Sequence, residues 1–257
     1  MPSKPIYFVS DAHLGIGIEG GEGRGAALES FLRKWGGGAS RIFIVGDLFD
    51  FWIEYRYAVR PDYFRPLHAL RSLVEAGVEV HYCQGNHDFA LGPFVSETVG
   101  VTVHDREFRG KLQGRNVRVR HGDGIRPGDR GSRFLHRLLR NPALQRLYRL
   151  LPPAAGVPLG EFISARSRRF ELTRATEEVL GAYRVRAREY LREGDDLVIL
   201  GHTHCPELSS FPEGTYGNTG CWVKRYTLIR LLDGRPELLE FFPGEDRLET
   251  YRENADE

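Results

Sequence analysis

Five short stretches of the chain carry side chains able to bind a metal ion or move a proton: "SDAHLG" with Asp11 and His13, "VGDLFD" with Asp47 and Asp50, "GNHD" with Asn86, His87 and Asp88, "RHGDG" with His121 and Asp123, and "GHTH" with His202 and His204. Carboxylate, amide oxygen and imidazole without thiolate favour manganese, iron, zinc or nickel over an iron–sulfur cluster or a structural zinc site. Asp11, His13, Asp47, Asn86, His121, His202 and His204 are seven candidate ligands, too many for one catalytic ion that keeps an open position. Two ions sharing a bridging carboxylate are therefore expected. At a separation of about 3.5–4 Å such a pair holds a hydroxide near neutral pH and stabilises charge on both sides of an in-line displacement at phosphorus. The chemistry indicated is hydrolysis of a phosphoester or phosphoanhydride. Each stretch taken alone has a plainer reading: an Asp after a strand caps a helix, a Gly-Asn pair makes a turn, and a strand-end His is a hydrogen-bonded structural residue. Recurrence at five successive strand ends is what favours one common site.

The strands are "PIYFVS", "RIFIVG", "VEVHYCQ", "NVRVR" and "DLVILG", each short, rich in Val, Ile, Tyr or Phe, and followed at once by glycine or polar residues. Helical patterns, "GAALESFLRKW" and "DYFRPLHALRSLVEAG", lie between the first three, so these strands should pair in parallel through right-handed crossovers. In a parallel sheet the carboxyl ends share one edge, where α/β sheets place their ligands, and five polar ends on such an edge would converge. "REFRGKLQGRNVRVR" predicts a hairpin turning at "QGRN", and β-rich segments resume after "GHTH". "GIGIEG", Gly15 to Gly20, matches G-x-G-x-x-G but does not directly open the helix as a pyrophosphate turn would, and reads as a loop over the site. His68, His81, His104 and His136 have no partners in sequence and read as structural or exposed.

A chain of 257 residues, 41% hydrophobic, suffices for one large α/β domain with an insertion. Residues 126–192 form that insertion, expected to be helical and to cover the site as a lid, with breaks at Pro-Pro and at Gly-Val-Pro. The core would be 1–125 with 193–250, and 251–257 a polar tail. The insertion holds fifteen Arg, no Lys and six Asp or Glu, a local excess of nine positive charges inside a net charge of +1. That excess suits phosphates, nucleic acid or an anionic membrane surface, or else a solvated helical surface. Phe134, Leu135, Leu138, Leu139, Leu144, Leu147, Tyr148 and Leu151 recur at helical spacing among these arginines, suited either to an apolar groove or to packing on the core. No apolar run is long enough to span a membrane, the start lacks a secretory pattern, and Cys83, Cys205 and Cys221 read as reduced, mostly buried thiols. A cytoplasmic location follows as an expectation.

With these residues in place the chain resembles the calcineurin-like metallophosphoesterases, whose pattern D-x-H, G-D, G-N-H-[DE], H and G-H-x-H is matched by Asp11-Ala-His13, Gly46-Asp47, Gly85-Asn86-His87-Asp88, His121 and Gly201-His202-Thr203-His204. The resemblance implies an α/β four-layer sandwich of two mixed β-sheets flanked by helices. It implies one metal on Asp11, His13, Asp47 and His204, a second on Asn86, His121 and His202, and Asp47 as the bridge. It also implies that His87, steadied by Asp88, sits near the leaving group or the developing phosphoryl charge. Manganese is the first expectation for both ions, with iron, zinc and nickel open.

Within that superfamily the chain looks most like the UDP-2,3-diacylglucosamine diphosphatases of lipid A biosynthesis, on "SDAHLG", "GDLFDFW" with Trp52, "GNHDF" with Phe89, "HGDG" with Asp123 and the helical insertion. The resemblance implies cleavage of a UDP-linked diacylglucosamine to UMP and 2,3-diacylglucosamine 1-phosphate, peripherally at the inner face of the cytoplasmic membrane and with no obligatory protein partner. Trp52, Phe89 and Asp123 would contact substrate, and Arg166, Ser167, Arg168 and Arg169 lie where the family places phosphate contacts. Two positions depart: His87 stands where many proteobacterial members carry Arg, and Cys205 stands where Arg often follows "GHTH". A phosphodiesterase or nuclease with a different phosphate substrate is the alternative, and a metal-free scaffold a third reading.

Overall fold

The structure is a computed structural model that describes residues 3–15, 21–88, 90–126, 138–172, 176–223 and 225–252, without the side chains of 21–22 and 166–172. Strands β1 (Ile6–Val9), β2 (Arg41–Ile44) and β3 (Glu79–Cys83) pair in parallel, and β4 (Thr102–His104) extends them in the same sense. Helices α1 (Gly21–Lys34) and α2 (Phe64–Glu75) make the two crossovers. On the other side of β1 the antiparallel strands β10 (Tyr226–Leu232), β11 (Arg235–Phe242) and β12 (Arg247–Thr250) complete a seven-stranded sheet. A second sheet has five strands in the order β5 (Glu107–Leu112), β6 (Arg115–Arg120), β7 (Leu197–Leu200), β9 (Gly214–Asn218) and β8 (Glu207–Phe211). The β5–β6 hairpin turns at Gln113 and Gly114, both left-handed with φ of 45° and 86°, as a two-residue turn matched to strand twist requires.

Period-two alternation explains how the layers stack. Ile6, Phe8, Phe43 and Val45 of the first sheet meet Val117, Val119, Leu197 and Ile199 of the second in a dry core between the sheets. The opposite faces carry Tyr7, Val9, Ile42 and Ile44 against Leu28, Phe31, Leu67 and Leu70 of α1 and α2. Beyond the second sheet, Val198, Leu200 and Tyr216 lie under Tyr183, Ala187 and Leu191 of a third flanking helix. Covered on both faces, β1, β2 and β7 need uninterrupted apolar runs, which is what they have. The result is the α/β four-layer sandwich of two mixed sheets that the resemblance implies. The expectation of one parallel edge is corrected: β1, β2 and β3 belong to the first sheet and β6 and β7 to the second, so the five strand ends meet across the seam between sheets.

Between β6 and β7 the described residues form α3 (Pro142–Tyr148), α4 (Pro153–Leu172) and α5 (Glu177–Arg192). The last of these is the helix that packs on the second sheet, where Arg118 lies 4.2 Å from the centre of the Tyr190 ring and bonds Asp195 at 2.7 Å. Gly-Val-Pro does not break the chain: α4 starts at Pro153 and runs through Pro158. Pro153 occupies the first helical position, where the lost N–H has no partner to lose, and Pro158 costs one hydrogen bond near that end. The glycines serve packing instead. A Cβ on Gly156 would lie 1.9 Å from the Tyr55 hydroxyl, and one on Gly160 would lie 2.2 Å from the Phe51 ring. Among the described residues no helix is long and apolar enough to cross a membrane.

Seating α4 on Phe51 thus requires a hydrogen in place of a side chain at residue 160. Gly160→Leu should destabilise the protein by about 1–3 kcal/mol, the range for overpacking. Equilibrium denaturation checks this, and an unchanged midpoint and slope would show that the helix is not held there.

Candidate active site

After β1, β2 and β7 the chain leaves the sheet in an unusual backbone conformation. Asp11, His13, Asp47, His202 and His204 have φ of 52°, 43°, 52°, 70° and 58°, in the left-handed region that costs non-glycine residues energy. The two loops after β1 and β2 hold one another in it, since Asp11, His13 and Leu14 donate backbone bonds of 3.1, 3.0 and 2.9 Å to the carbonyls of Gly46, Asp47 and Leu48. Gly85 opens "GNHD" for a similar reason of space. A Cβ there would fall 2.0 Å from Asp47 Oδ1, which instead accepts a 2.9 Å bond from the His87 backbone N–H.

These loops gather the predicted ligands into two adjoining clusters. Asp11, His13 and His204 form one, with His204 Nε2 at 3.2 Å from both Asp11 Oδ1 and His13 Nε2. Asp47, His121 and His202 form the other, with His121 Nε2 at 3.1 Å from Asp47 Oδ2, 3.0 Å from Asn86 Oδ1 and 3.1 Å from His202 Nδ1. Asp47 also groups with His13 and His87, so it stands between the clusters. The outer oxygen of Asp11 is tied down by the Ser10 hydroxyl and, at 3.1 Å, by the His202 N–H. Asp11 Oδ1 and Asp47 Oδ2, both fully buried, make no hydrogen bond of acceptable geometry. Buried carboxylate oxygens whose neighbours are imidazole nitrogens that crowd one another point at positions for cations. The donor set fits two divalent ions, which Asp11, His13, Asp47 and His204, and Asp47, Asn86, His121 and His202, could hold.

Residues 4–206 match the family described as "Calcineurin-like phosphoesterase". The chain belongs to the calcineurin-like phosphoesterase family. It is similar to the UDP-2,3-diacylglucosamine hydrolase of Porphyromonas gingivalis, at 32% identity over 93% of this chain and 98% of that protein. Proteins of the same description from Pectobacterium carotovorum and Haemophilus influenzae are 29% and 28% identical over 91% and 90% of this chain, covering 98% and 95% of their own lengths. Calcineurin-like phosphoesterases are metal-dependent hydrolases with a pair of divalent ions, and the two clusters supply side chains for such a pair.

Charge in this calcineurin-like site is set by burial and by mutual attraction. Burial alone would raise the Asp47 carboxyl, but His121, His87 and His13 around it hold it well below the usual carboxylate range. In return, against the opposing effect of burial, Asp47 and Asp11 push His121 up to about 10, and Asp11 pushes His204 well above the ordinary histidine value. Asp88 shows the opposite: burial, then the neighbouring Asp47 charge, raise it to about 6. A centre that draws protons onto its imidazoles is one that attracts cations.

Asp88 and Trp52 are placed differently from the roles expected of them. Asp88 does not steady His87; its carboxylate accepts from Gly85 N at 2.8 Å, Leu48 N at 2.9 Å and the Tyr82 hydroxyl, and so knits the turn. His87 Nδ1 lies instead 2.8 Å from the Asp50 carbonyl and 2.6 Å from Ser164 Oγ. Trp52, 4% exposed, stacks among Phe49, Tyr63 and Phe94, and its backbone N–H donates to the His87 carbonyl at 3.0 Å. Asp123 pairs with Arg140 at 3.3 Å, and Arg140 also donates to the Gly85 carbonyl at 3.1 Å. Phe89, the side chains of Arg166, Ser167, Arg168 and Arg169, and Gly15–Gly20 beyond Gly15 lie outside the described residues, as do Phe134, Leu135 and His136. His81 and His104 pair with each other at 3.1 Å, and His68 is exposed.

Sequence reasoning passed over Ser164 and Arg140, and it gave no role to Asp50, whose carboxylate lies 3.7 Å from His13 Nδ1. Arg140 carried no signal beyond its type. Ser164 carried one, because Gly156, Gly160 and Ser164 recur every four residues and mark a helix face of small side chains.

Two predictions follow from the electrostatics. The histidine reference value is about 6.5, so a folded-state value near 10 at His121 means that its protonation stabilises the metal-free protein in full below pH 6.5. That stability is lost as pH rises through 10, while bound metal needs the neutral ring. The gap in melting temperature between metal-loaded and chelator-treated protein should therefore widen from pH 6.5 to pH 9.5. Asp47→Ala should leave fewer than about one ion per chain by elemental analysis. Two retained ions would refute its place between the clusters.

Proposed function

We propose that this protein cleaves the pyrophosphate of UDP-2,3-diacylglucosamine, releasing UMP and 2,3-diacylglucosamine 1-phosphate. The observation that carries the reading is a groove of about 460 Å³ that begins at Asn86 and His87 and continues between Phe51, Leu138, Leu139, Leu144, Tyr148 and Ile163. A phosphoryl-hydrolysing centre that opens into aliphatic walls suits a substrate with phosphates at one end and fatty chains at the other. Polyanionic nucleic acid would gain nothing from such walls, which weighs against the nuclease alternative. The names of the relatives point the same way. Of the insertion expected as a lid over 126–192, α5 packs on the second sheet and residues 138–172 would act as the lid; Leu147 and Leu150, next to Arg146 and Arg149 in sequence, and Phe162 are 62%, 78% and 69% exposed and suit the anionic inner face of a cytoplasmic membrane.

Manganese is the expected metal. When bound, the two cations lower the pKa of a water molecule and offset charge on the phosphoryl oxygens. The protein's own part is placement. His87 lies at the junction of cluster and groove, its Nε2 4.0 Å from Asp47 Oδ2, where the scissile phosphoryl group must sit if the chains occupy the groove. With Nδ1 held by a carbonyl, the ring presents Nε2 to a phosphoryl oxygen or the leaving phosphate. Arg140, anchored on Asp123 and Gly85, brings a fixed positive charge beside the second cluster, placed to meet the other phosphate.

Manganese-loaded protein incubated with UDP-2,3-diacylglucosamine in detergent should release UMP. No UMP, together with ready hydrolysis of bis(p-nitrophenyl) phosphate, would move the protein to another phosphate substrate.

A further inference from the structure

We infer that Ser164 is a positioning residue for His87, fixing the tautomer and orientation of the imidazole from the insertion helix α4; the inference rests on the hydrolase reading above. Three atoms meet in a buried triangle: His87 Nδ1 and Ser164 Oγ at 2.6 Å, Ser164 Oγ and the Asp50 carbonyl at 2.5 Å, and His87 Nδ1 and the same carbonyl at 2.8 Å. Ser164 is 5% exposed and His87 3%. The carbonyl only accepts, so the serine proton goes to it, and the serine oxygen then accepts from Nδ1–H. Nδ1 must carry the proton, and Nε2 is the nitrogen turned toward Asp47. A ring flipped by half a turn would place carbon against both oxygens and lose these bonds.

Residues on α4 explain how a helix reaches so deep. Gly156, Gly160 and Ser164 lie four apart on one face. The two glycines let the backbone rest on Tyr55 and Phe51, and the next residue of the stripe then arrives at Asp50 and His87. Ile163 and Ser164 both line the apolar groove, so one helix turn touches the fatty chains and the ring that faces phosphorus. Orientation of His87 therefore depends on α4 being seated.

The test is a double-mutant cycle on the metal-loaded full chain, with kcat and KM measured for UDP-2,3-diacylglucosamine and for bis(p-nitrophenyl) phosphate. Ser164→Ala should lower kcat about tenfold on both substrates, the size of one lost hydrogen bond, with KM changed by less than about twofold. Ser164→Thr, which keeps the hydroxyl, should recover most of kcat. In a His87→Ala background Ser164→Ala should cost nothing further. An equal loss in both backgrounds, or a raised KM at unchanged kcat, would reduce Ser164 to a packing residue and overturn the inference. Wild-type protein that hydrolyses only bis(p-nitrophenyl) phosphate would overturn the substrate reading, and the cycle on that substrate would still decide Ser164.

Discussion

A carboxylate with no exposure to water, Asp47, sits in the seam between two β-sheets, and the structure is organised around it. An ion removed from water without partners costs several kcal/mol, so the fold must surround Asp47 with compensation. The compensation comes from both sheets: a backbone N–H of the turn after β3, and the imidazole of His121 from the end of β6. Gly85 leaves room for the carboxylate, and Asp88 stiffens the turn that carries the N–H. Electrostatics and packing are here the same constraint, because only face-to-face sheets bring β2, β3 and β6 to one point.

Function follows from how that point is exposed. The two clusters are nearly sealed by their own sheets, and the groove reaches them past Asn86 and His87. Polar side chains are thus gathered at the strand ends, while aliphatic side chains of the insertion line the groove beside them. Asn86 and His87 are common to both regions. The conformation of His87 is set neither by its sequence neighbour Asp88 nor by the clusters alone, but by Asp50 and a helix more than seventy residues away.

Strain is distributed in the same economical way. Left-handed backbone at Asp11, His13, Asp47, His202 and His204 would unravel in isolation, yet a short irregular ladder joins the loops after β1 and β2, and the loop after β7 is tied to His121 and Asp11. Glycine at any of these five positions would relieve the strain and remove a candidate ligand. The chain keeps the side chain, and sheet packing holds it in place.

The strand ends, their order and the seven ligand types were legible in the sequence because local rules control them: strands announce themselves by apolar runs, and metal ligands by side-chain type. The division of five strands between two sheets was not, since strand pairing beyond neighbours leaves no local trace. Gly-Val-Pro read as a break because proline and glycine are judged by backbone cost, whereas their use here lies in contact with Tyr55 and Phe51. The family resemblance implied that Asp88 steadies His87, whereas the tight turn of "GNHD" sends the two side chains to different partners. What the sequence by itself determined is which atoms are available for phosphoryl chemistry. Which of them face one another, and that Ser164 and Arg140 join them, only the tertiary structure decided, because those contacts are set by layers packing across long separations in the chain.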